Sequence, residues 1–461
     1  MNKDKTLHIL KEATRNSVYE YRLYLVGGIV RDEILGSPGE EDIDIVLEGD
    51  ATKLARYLFN IGITDFKPVV FPRFGTAMVS IEGTQVELVS ARSESYAPES
   101  RKPEIELASL EQDVLRRDFT INTLMKNLHT GEILDITGKG LSDLREGIIR
   151  TPTDPEVTFE DDPLRMLRAI RFSARFGFVI EDKTYEAIKN KAHRLSIISK
   201  ERIRDEFSKM LMTSRAAQAI ETLRTTGLLA QFAPELLEMY GVTQNIYHLY
   251  DVWTHTMKAL ESLPDTADLA LRLATLFHDV GKPKTRSVDE KSQVHFYSHQ
   301  HIGAEITHRV LNRLRYPNDI IRRVTKLVEM HLRVGEYDSK WTNAAVRRLI
   351  RDAGPDLDAL ITLTKADKSA ANPAMPSVDL DELGKRIEQV QKHVDVHTIR
   401  SPLNGREIMQ LLDIPQGPLI KEIKNFLINE IMEERLAPAD KEKAAELVLK
   451  QWSTQRQTKD N

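Results

Sequence analysis

Asp42-Ile43-Asp44 is the first segment of the chain whose residue types and spacing can do chemistry. It lies in an apolar, β-branched run (EDIDIVLE, 41–48), and in a strand residues two apart point to the same face. Two carboxylates held side by side can bridge a pair of Mg²⁺ ions, one activating an attacking hydroxyl and the other neutralising a polyphosphate leaving group. Glu87, within VELV, is best placed by sequence to add a third carboxylate from a neighbouring strand. An isolated Asp-X-Asp is usually surface acid, but Ile43, Ile45 and Val46 leave this face little other reason to be doubly acidic. Upstream, LVGGIVRD (25–32) reads as a strand, a glycine pair and a helix start. Gly27 and Gly28 let backbone N–H groups approach phosphate, the helix start adds a favourable dipole, and Arg31 is a candidate phosphate clamp. Asp32 is the expected partner of an arginine.

Two further constellations follow. Asp162 and Arg165, three apart at an expected helix start, offer an acceptor and a planar donor fork. That combination satisfies the hydrogen-bonding edge of a base, and also describes an acidic cap with its salt-bridge partner. His278-Asp279 ends an apolar helical run in LATLFHDVGKPKTR. With His255, His299, His331 and Asp367 it supplies nitrogen and oxygen ligands suited to Mn, Ni, Fe, Zn or Mg, His301 being an alternative to His299. Lys282, just after the HDVG, is suited to phosphate.

These residues need elements to position them. Short apolar runs at 22–30, 41–48, 67–71, 77–81 and 86–89 predict a small α/β or α+β domain over 1–150. The stretch 92–113, rich in Ser, Glu and Pro, predicts a mobile loop. After Pro163 the apolar period becomes helical and persists to the end. The overall fold class is α+β, a small mixed-sheet head and a mostly helical body. The chain has 461 residues, no cysteine and a net charge of −5, so disulfides and thiolate sites are excluded and a general nucleic-acid coat is not indicated. Lys189, Lys191, Arg194, Lys200, Arg202, Arg204 and Lys209 form one basic stretch, either a local phosphate-binding patch or a solvated helix face. No apolar run is long enough to span a bilayer, and a cytoplasmic location is the default expectation.

LVGGIVRD and EDIDIV together resemble the signature of the polymerase-beta nucleotidyltransferase superfamily, in the branch of bacterial tRNA nucleotidyltransferases and poly(A) polymerases. RRDFTIN (116–122) resembles its ribose-contacting motif. The resemblance implies that Asp118 and Asn122 touch the sugar, that Arg117 meets phosphate, and that Asp161, Asp162, Arg165 and Arg168 bind the nucleotide. Asp162 and Arg165 would then replace a template, although Asp161 stands where the family usually has Glu. ERIRDE (201–206) resembles the neck helix, read as scaffold or phosphate contact. HTMKAL, FHDVGK, SHQHIGA, MHL and KADKSA, in that order, resemble the HD phosphohydrolases. The implied organisation is a head (1–150), a neck (151–240), an HD domain (241–375) and a helical tail (376–461) touching the tRNA elbow. The implied activity is addition of C, C and A to tRNA from CTP and ATP, with Mg²⁺ in the head and Mn²⁺, Ni²⁺ or Mg²⁺ in the HD domain. The implied assembly is a monomer or homodimer. Two rivals remain: an enzyme adding only A, and an HD phosphohydrolase acting on RNA ends whose head merely binds RNA.

Overall fold

The computed structural model describes residues 3–37, 43–95, 104–376, 378–393 and 399–452. The chain divides into two compact units, Met1–Leu237 with Val310–Tyr316, and Glu238–Arg309 with Pro317–Asn461. In the first unit, α1 (Lys3–Thr14) precedes β1 (Leu23–Val26), α2 (Gly28–Leu35), β2 (Ile43–Leu47) and α3 (Ala51–Asn60). There follow β3 (Val69–Phe71), β4 (Thr76–Ile81), β5 (Thr84–Ser90), β6 (Arg92–Ser95), β7 (Glu104–Leu107), α4 (Leu110–Leu115), β8 (Met125–Asn127) and β9 (Ile133–Leu134). Seven strands form one sheet in the order β3-β4-β5-β2-β1-β8-β9, with β2 and β5 parallel and the other neighbours antiparallel. Leu23, Leu25, Ile43, Ile45, Val86 and Leu88 bury its apolar face. The expected run 22–30 is cut at Val26, because Gly27 (φ 72°, ψ −131°) turns the chain into α2.

The stretch 92–113 corrects the expectation of an unstructured loop. β6 and β7 pair antiparallel, and α4 opens with a capping box in which Ser109 and Gln112 satisfy each other's backbone N–H groups. Residues 96–103 lie outside the described part. Helices then take over: α5 (Gly140–Glu146), α6 (Pro155–Asp161), α7 (Leu164–Phe176), α8 (Asp182–Lys191), α9 (Lys200–Leu211), α10 (Ala216–Thr225) and α11 (Pro234–Leu237), with α7 packed against α9. A two-stranded pair, β10 (Ile148–Ile149) and β11 (Val179–Ile180), ties this region together. In the second unit α12 (Val252–Glu261) and α13 (Leu269–Phe277) are followed by α14 (Lys282–Thr285) and the hairpin β12 (Arg286–Val288)–β13 (Val294–Phe296). Its remaining helices are α15 (His299–Arg313), α16 (Asn318–Gly335), α17 (Asn343–Ala353), α18 (Leu357–Ser369), α19 (Leu380–His393), α20 (Gly405–Leu412), α21 (Pro418–Met432) and α22 (Lys441–Trp452). α12, α13, α16 and α18 pack on one another. A mixed-sheet head followed by a helical body matches the fold class expected from sequence.

Candidate functional site

The first unit carries a cavity of about 470 Å³ lined by Gly27, Gly28, Asp44, Glu87, Arg116, Arg117, Asp118, Asn122, Asp162, Arg165, Arg168 and Arg202, among others. The parallel pairing of β2 with β5 sets Asp44 directly opposite Glu87, so the two carboxylates share a sheet face. Gly27 faces them: a Cβ there would lie 3.9 Å from Asp44 Oδ2. A carboxylate pair beside a side-chain-free turn fits a hard divalent cation bound with phosphate oxygens. Asp42 lies outside the described residues.

Arg31, the candidate phosphate clamp, lines the cavity. It is 2 % exposed, and its Nε and Nη1 donate to Asp32 Oδ1 and Asn122 Oδ1, each at 2.7 Å. Its guanidinium also lies over the rings of Phe172 and Phe176. These partners hold it as a strut in the cavity wall. Asp32, also bridged by Arg175 at 3.2 Å, pairs with arginines as expected. Through Asn122 the strut reaches Asp118, whose Oδ1 accepts from Asn122 Nδ2 at 2.9 Å and whose Oδ2 accepts from Arg168 Nε at 2.8 Å. Burial alone would raise the Asp118 pKa; the Arg168 charge and the Asn122 hydrogen bond outweigh it and bring it down to about 2. Arg168 and Arg171 both pair with Glu206 of α9, which continues the network.

Arg116 and Arg117 are held from below by Asp113, fully buried, each of whose oxygens accepts two guanidinium N–H groups at 2.7 to 3.1 Å. Asp162 is not the first residue of a helix. It is the joint between α6 and α7, in extended conformation, with Oδ1 accepting the Leu164 N–H at 3.1 Å and Oδ2 facing Arg202 Nη2 at 3.2 Å. Arg165 donates to the backbone carbonyls of Arg116 and Thr158. Asp161, last residue of α6, is not among the cavity's lining residues. The sequence reading missed Asp113, gave Arg116 no role of its own within RRDFTIN, placed Lys209 only in the basic stretch, and took Arg202 only as scaffold or phosphate contact. The available signal was helical: Arg202, Glu206 and Lys209 recur at i, i+4 and i+7 on α9. The basic stretch is largely neutralised locally, since Lys189, Lys191, Arg194, Arg202 and Arg204 each face a carboxylate.

The second unit brings His255 of α12, His278 and Asp279 at the end of α13, His299 of α15 and His331 of α16 into one buried cluster, with the partly exposed Asp367 of α18 at its edge. His255 Nε2 lies 2.9 Å from Asp367 Oδ1, His278 Nε2 3.2 Å from Asp279 Oδ2, and His299 Nε2 3.4 Å from Asp279 Oδ1. Each ring sets Nδ1 against a backbone carbonyl, of Ala370, Thr275, Phe296 and Val328 respectively, at 2.6 to 3.2 Å. That makes Nδ1 the N–H donor and turns the Nε2 lone pairs inward. Two such nitrogens, on His299 and His331, then face each other at 3.2 Å, and His278 Nε2 is buried without a hydrogen-bond partner beside Asp279 Oδ2, which has the Lys282 ammonium at 2.7 Å. A converging set of imidazole nitrogens and carboxylate oxygens fits a divalent transition metal. Burial, reinforced by the neighbouring histidines, pushes the His331 pKa down to about 3. His301, exposed and facing Glu329 at 3.4 Å, is not part of the cluster. Lys282, expected at phosphate, is held at 2.7 Å by both Asp279 and Gln244. A cavity of about 380 Å³ opens over the cluster; it is also lined by His248, whose pKa is pushed down to about 3 by burial and the Lys282 charge.

Comparisons with known proteins agree with this division. Residues 23–150 match the family described as Poly A polymerase head domain, 177–239 the probable RNA- and SrmB-binding site of polymerase A, and 245–372 the HD domain. An A-adding tRNA nucleotidyltransferase from Deinococcus radiodurans is 36% identical, over 69% of this chain and 74% of its own. A CC-adding tRNA nucleotidyltransferase from Thermus thermophilus is 34% identical, over 73% of this chain and 76% of its own. The crystal structure of the Bacillus stearothermophilus CCA-adding enzyme in complex with CTP superimposes with a TM-score of 0.71, over 99% of this chain and 100% of that one, at 22% identity. At that identity it supports the fold alone.

Proposed function

The chain belongs to the tRNA nucleotidyltransferases, and from that premise we propose that it adds C, C and A in turn to the 3′ end of tRNA from CTP and ATP, releasing pyrophosphate. The observation that carries this is the head cavity, where a carboxylate pair, an arginine pair and the Asp162/Arg165 set line one wall-to-wall space. Reaction, triphosphate and base each need one of those three groups.

The residues divide the work by position. Asp42, Asp44 and Glu87 would hold divalent ions of the Mg²⁺ type, which when bound supply activation of the 3′-hydroxyl and neutralisation of the triphosphate. Arg117, pre-set by Asp113, meets the phosphates, while Asp118 and Asn122 meet the ribose hydroxyls. Asp162 accepts from the exocyclic amine that C and A share and that U lacks, and Arg165 donates to the neighbouring ring acceptor. The primer 3′-oxygen attacks the α-phosphorus in line as the bond to pyrophosphate breaks, so positioning and charge account for most of the acceleration.

The second cluster supports a metal-dependent phosphohydrolase acting on RNA ends. His255, His278, Asp279 and Asp367 would hold one divalent ion, of the Mn²⁺, Ni²⁺ or Mg²⁺ class, and the inward Nε2 atoms of His299 and His331 extend the set.

The test is Mg²⁺-dependent extension of three tRNA transcripts, ending before CCA, after C and after CC, with CTP and ATP given singly and together. Extension of all three to CCA is the expected result. Growth solely from the CC end with ATP would identify an A-adding enzyme instead.

A further inference from the structure

The cavity over the histidine cluster has a component that the metal-ligating residues do not explain. Tyr297 lines it and is 71 % exposed. An exposed tyrosine is ordinary, but this ring is fixed from behind. His295, two residues earlier, lies parallel to it, with ring centroids 5.1 Å apart and planes 9° apart. His295 Nε2 stands 3.0 Å from Asp289 Oδ2, while Asp289 Oδ1 accepts the Lys291 and Gln293 N–H groups at 2.9 and 2.8 Å. The β12–β13 turn thus anchors the carboxylate, the carboxylate anchors the imidazole, and the imidazole backs the phenol ring. Ser298 follows at φ 61°, a left-handed bend, and its two neighbours Tyr297 and His299 both line the cavity. The same space reaches Asp279, His331 and Lys282, a set suited to a phosphate held on a metal ion. Its volume of about 380 Å³ falls within the range of small-molecule sites, roughly 300–1,000 Å³.

We propose that Tyr297 is a stacking platform for a nucleobase, so that this site takes a phosphate ester carried on a nucleoside in preference to phosphate esters at large. The substrate is the unpaired terminal nucleotide of an RNA, its phosphate toward the metal-ligating residues and its base on the Tyr297 ring. Every base has a π-face, so such a platform recognises the nucleotide and tolerates any sequence. The imidazole behind it restrains the ring in advance, which lowers the entropy lost when a base settles on it. This deepens the reading of the histidine cluster as a phosphohydrolase centre and rests on it, and the two ideas fail separately.

The experiment uses the full chain loaded with Mn²⁺ and compares wild type, Tyr297→Ala and Tyr297→Phe. It measures kcat/KM for adenosine 2′,3′-cyclic phosphate and for 1-O-methylribose 2,3-cyclic phosphate, which lacks the base. Wild type is expected to favour the nucleoside compound by at least about tenfold, the size of one stacked base. Tyr297→Ala should bring that ratio to within about twofold of unity, and Tyr297→Phe should keep it, because stacking needs the ring and not the hydroxyl. No preference in wild type, an equal fall for both compounds in Tyr297→Ala, or a loss in Tyr297→Phe as large as in Tyr297→Ala each overturns the proposal. Hydrolysis of neither compound by wild type overturns the phosphohydrolase reading instead. The platform is then judged by equilibrium binding of adenosine 2′-monophosphate: affinity at least about fivefold weaker in Tyr297→Ala upholds it, and equal affinity overturns it.

Discussion

Asp118 shows what a buried carboxylate contributes when its partners are supplied in full. Its folded-state pKa, about 2, lies below the ordinary 3.8 because Arg168 and Asn122 favour the charged form more than burial opposes it. A lowered pKa means stability that is complete above the unfolded value and is lost as pH falls through the folded one. The shift corresponds to about 2 kcal/mol. Urea denaturation of wild type and Asp118→Asn should therefore show a gap that is constant above about pH 5 and shrinks between about pH 4 and 2. A gap that stays constant throughout would show that Arg168 does not hold the ionised form. Glu87 was legible as the candidate carboxylate from a neighbouring strand, while the register that sets it opposite Asp44 is a property of the sheet. The partners of Arg31 were not legible, because its acceptor Asn122 lies 91 residues away and no local pattern announces so distant a partner. For the same reason the hold of Arg202 on Asp162, 40 residues apart, was hidden in a segment that reads as ordinary helix charge.

Elements meet closely just beyond the end of α13. Gly281 abuts the first turn of α15, and a Cβ there would stand 2.1 Å from His299 O and 2.6 Å from Gly303 N. Both are backbone atoms and have no rotamer to yield, so the close approach that brings His278 and Asp279 up to His299 requires glycine at 281. Gly281→Ala should destabilise this unit by about 3 kcal/mol or more, beyond ordinary overpacking. It should also strip bound Mn²⁺ or Ni²⁺, measured as metal content after gel filtration. Gly384, inside α19, has nothing within 4 Å of its added Cβ. Gly384→Ala should be neutral or stabilise by up to about 1 kcal/mol, and metal retained by both variants would remove the contact at Gly281 as the reason for the cluster's geometry. Helices with a strong apolar period were legible in type from sequence, whereas the β6–β7 pair was not, since β6 (RSES) has no apolar residue and the alternation of β7 (EIEL) lasts only four residues. The Ser109-x-x-Gln112 box that starts α4 was present in the sequence and pointed to a helix inside the presumed loop.

At the scale of the whole molecule, each cluster is complete within a single compact unit. The described head residues run from Val26 to Lys209 in the first unit, and those of the histidine cluster from Asn245 to Pro376 in the second. Order along the chain made this division legible, because the motifs of one site end before those of the other begin. Glu186 beside Lys189 and Asp205 beside Arg204 were legible as local pairs, but the neutralisation of Lys191, Arg194 and Arg202 was not, because Glu156, Glu160 and Asp162 approach them only in the fold. Two self-contained sites should fail independently. Asp44→Ala removes one carboxylate of the pair beside Gly27, and nucleotide addition should fall by at least about 10³-fold, since that carboxylate would hold the divalent ion that offsets charge developing at the reacting phosphate. Metal content of the histidine cluster, and the hydrolysis of RNA ends proposed for it (assayed on a 2′,3′-cyclic phosphate), should be unchanged in that variant. His278→Ala removes a buried Nε2 ligand and should do the reverse, abolishing metal retention and hydrolysis while CCA addition proceeds. Both variants are measured on the full chain with the same tRNA preparation. Loss of both activities in either variant would mean that the two clusters act as one site.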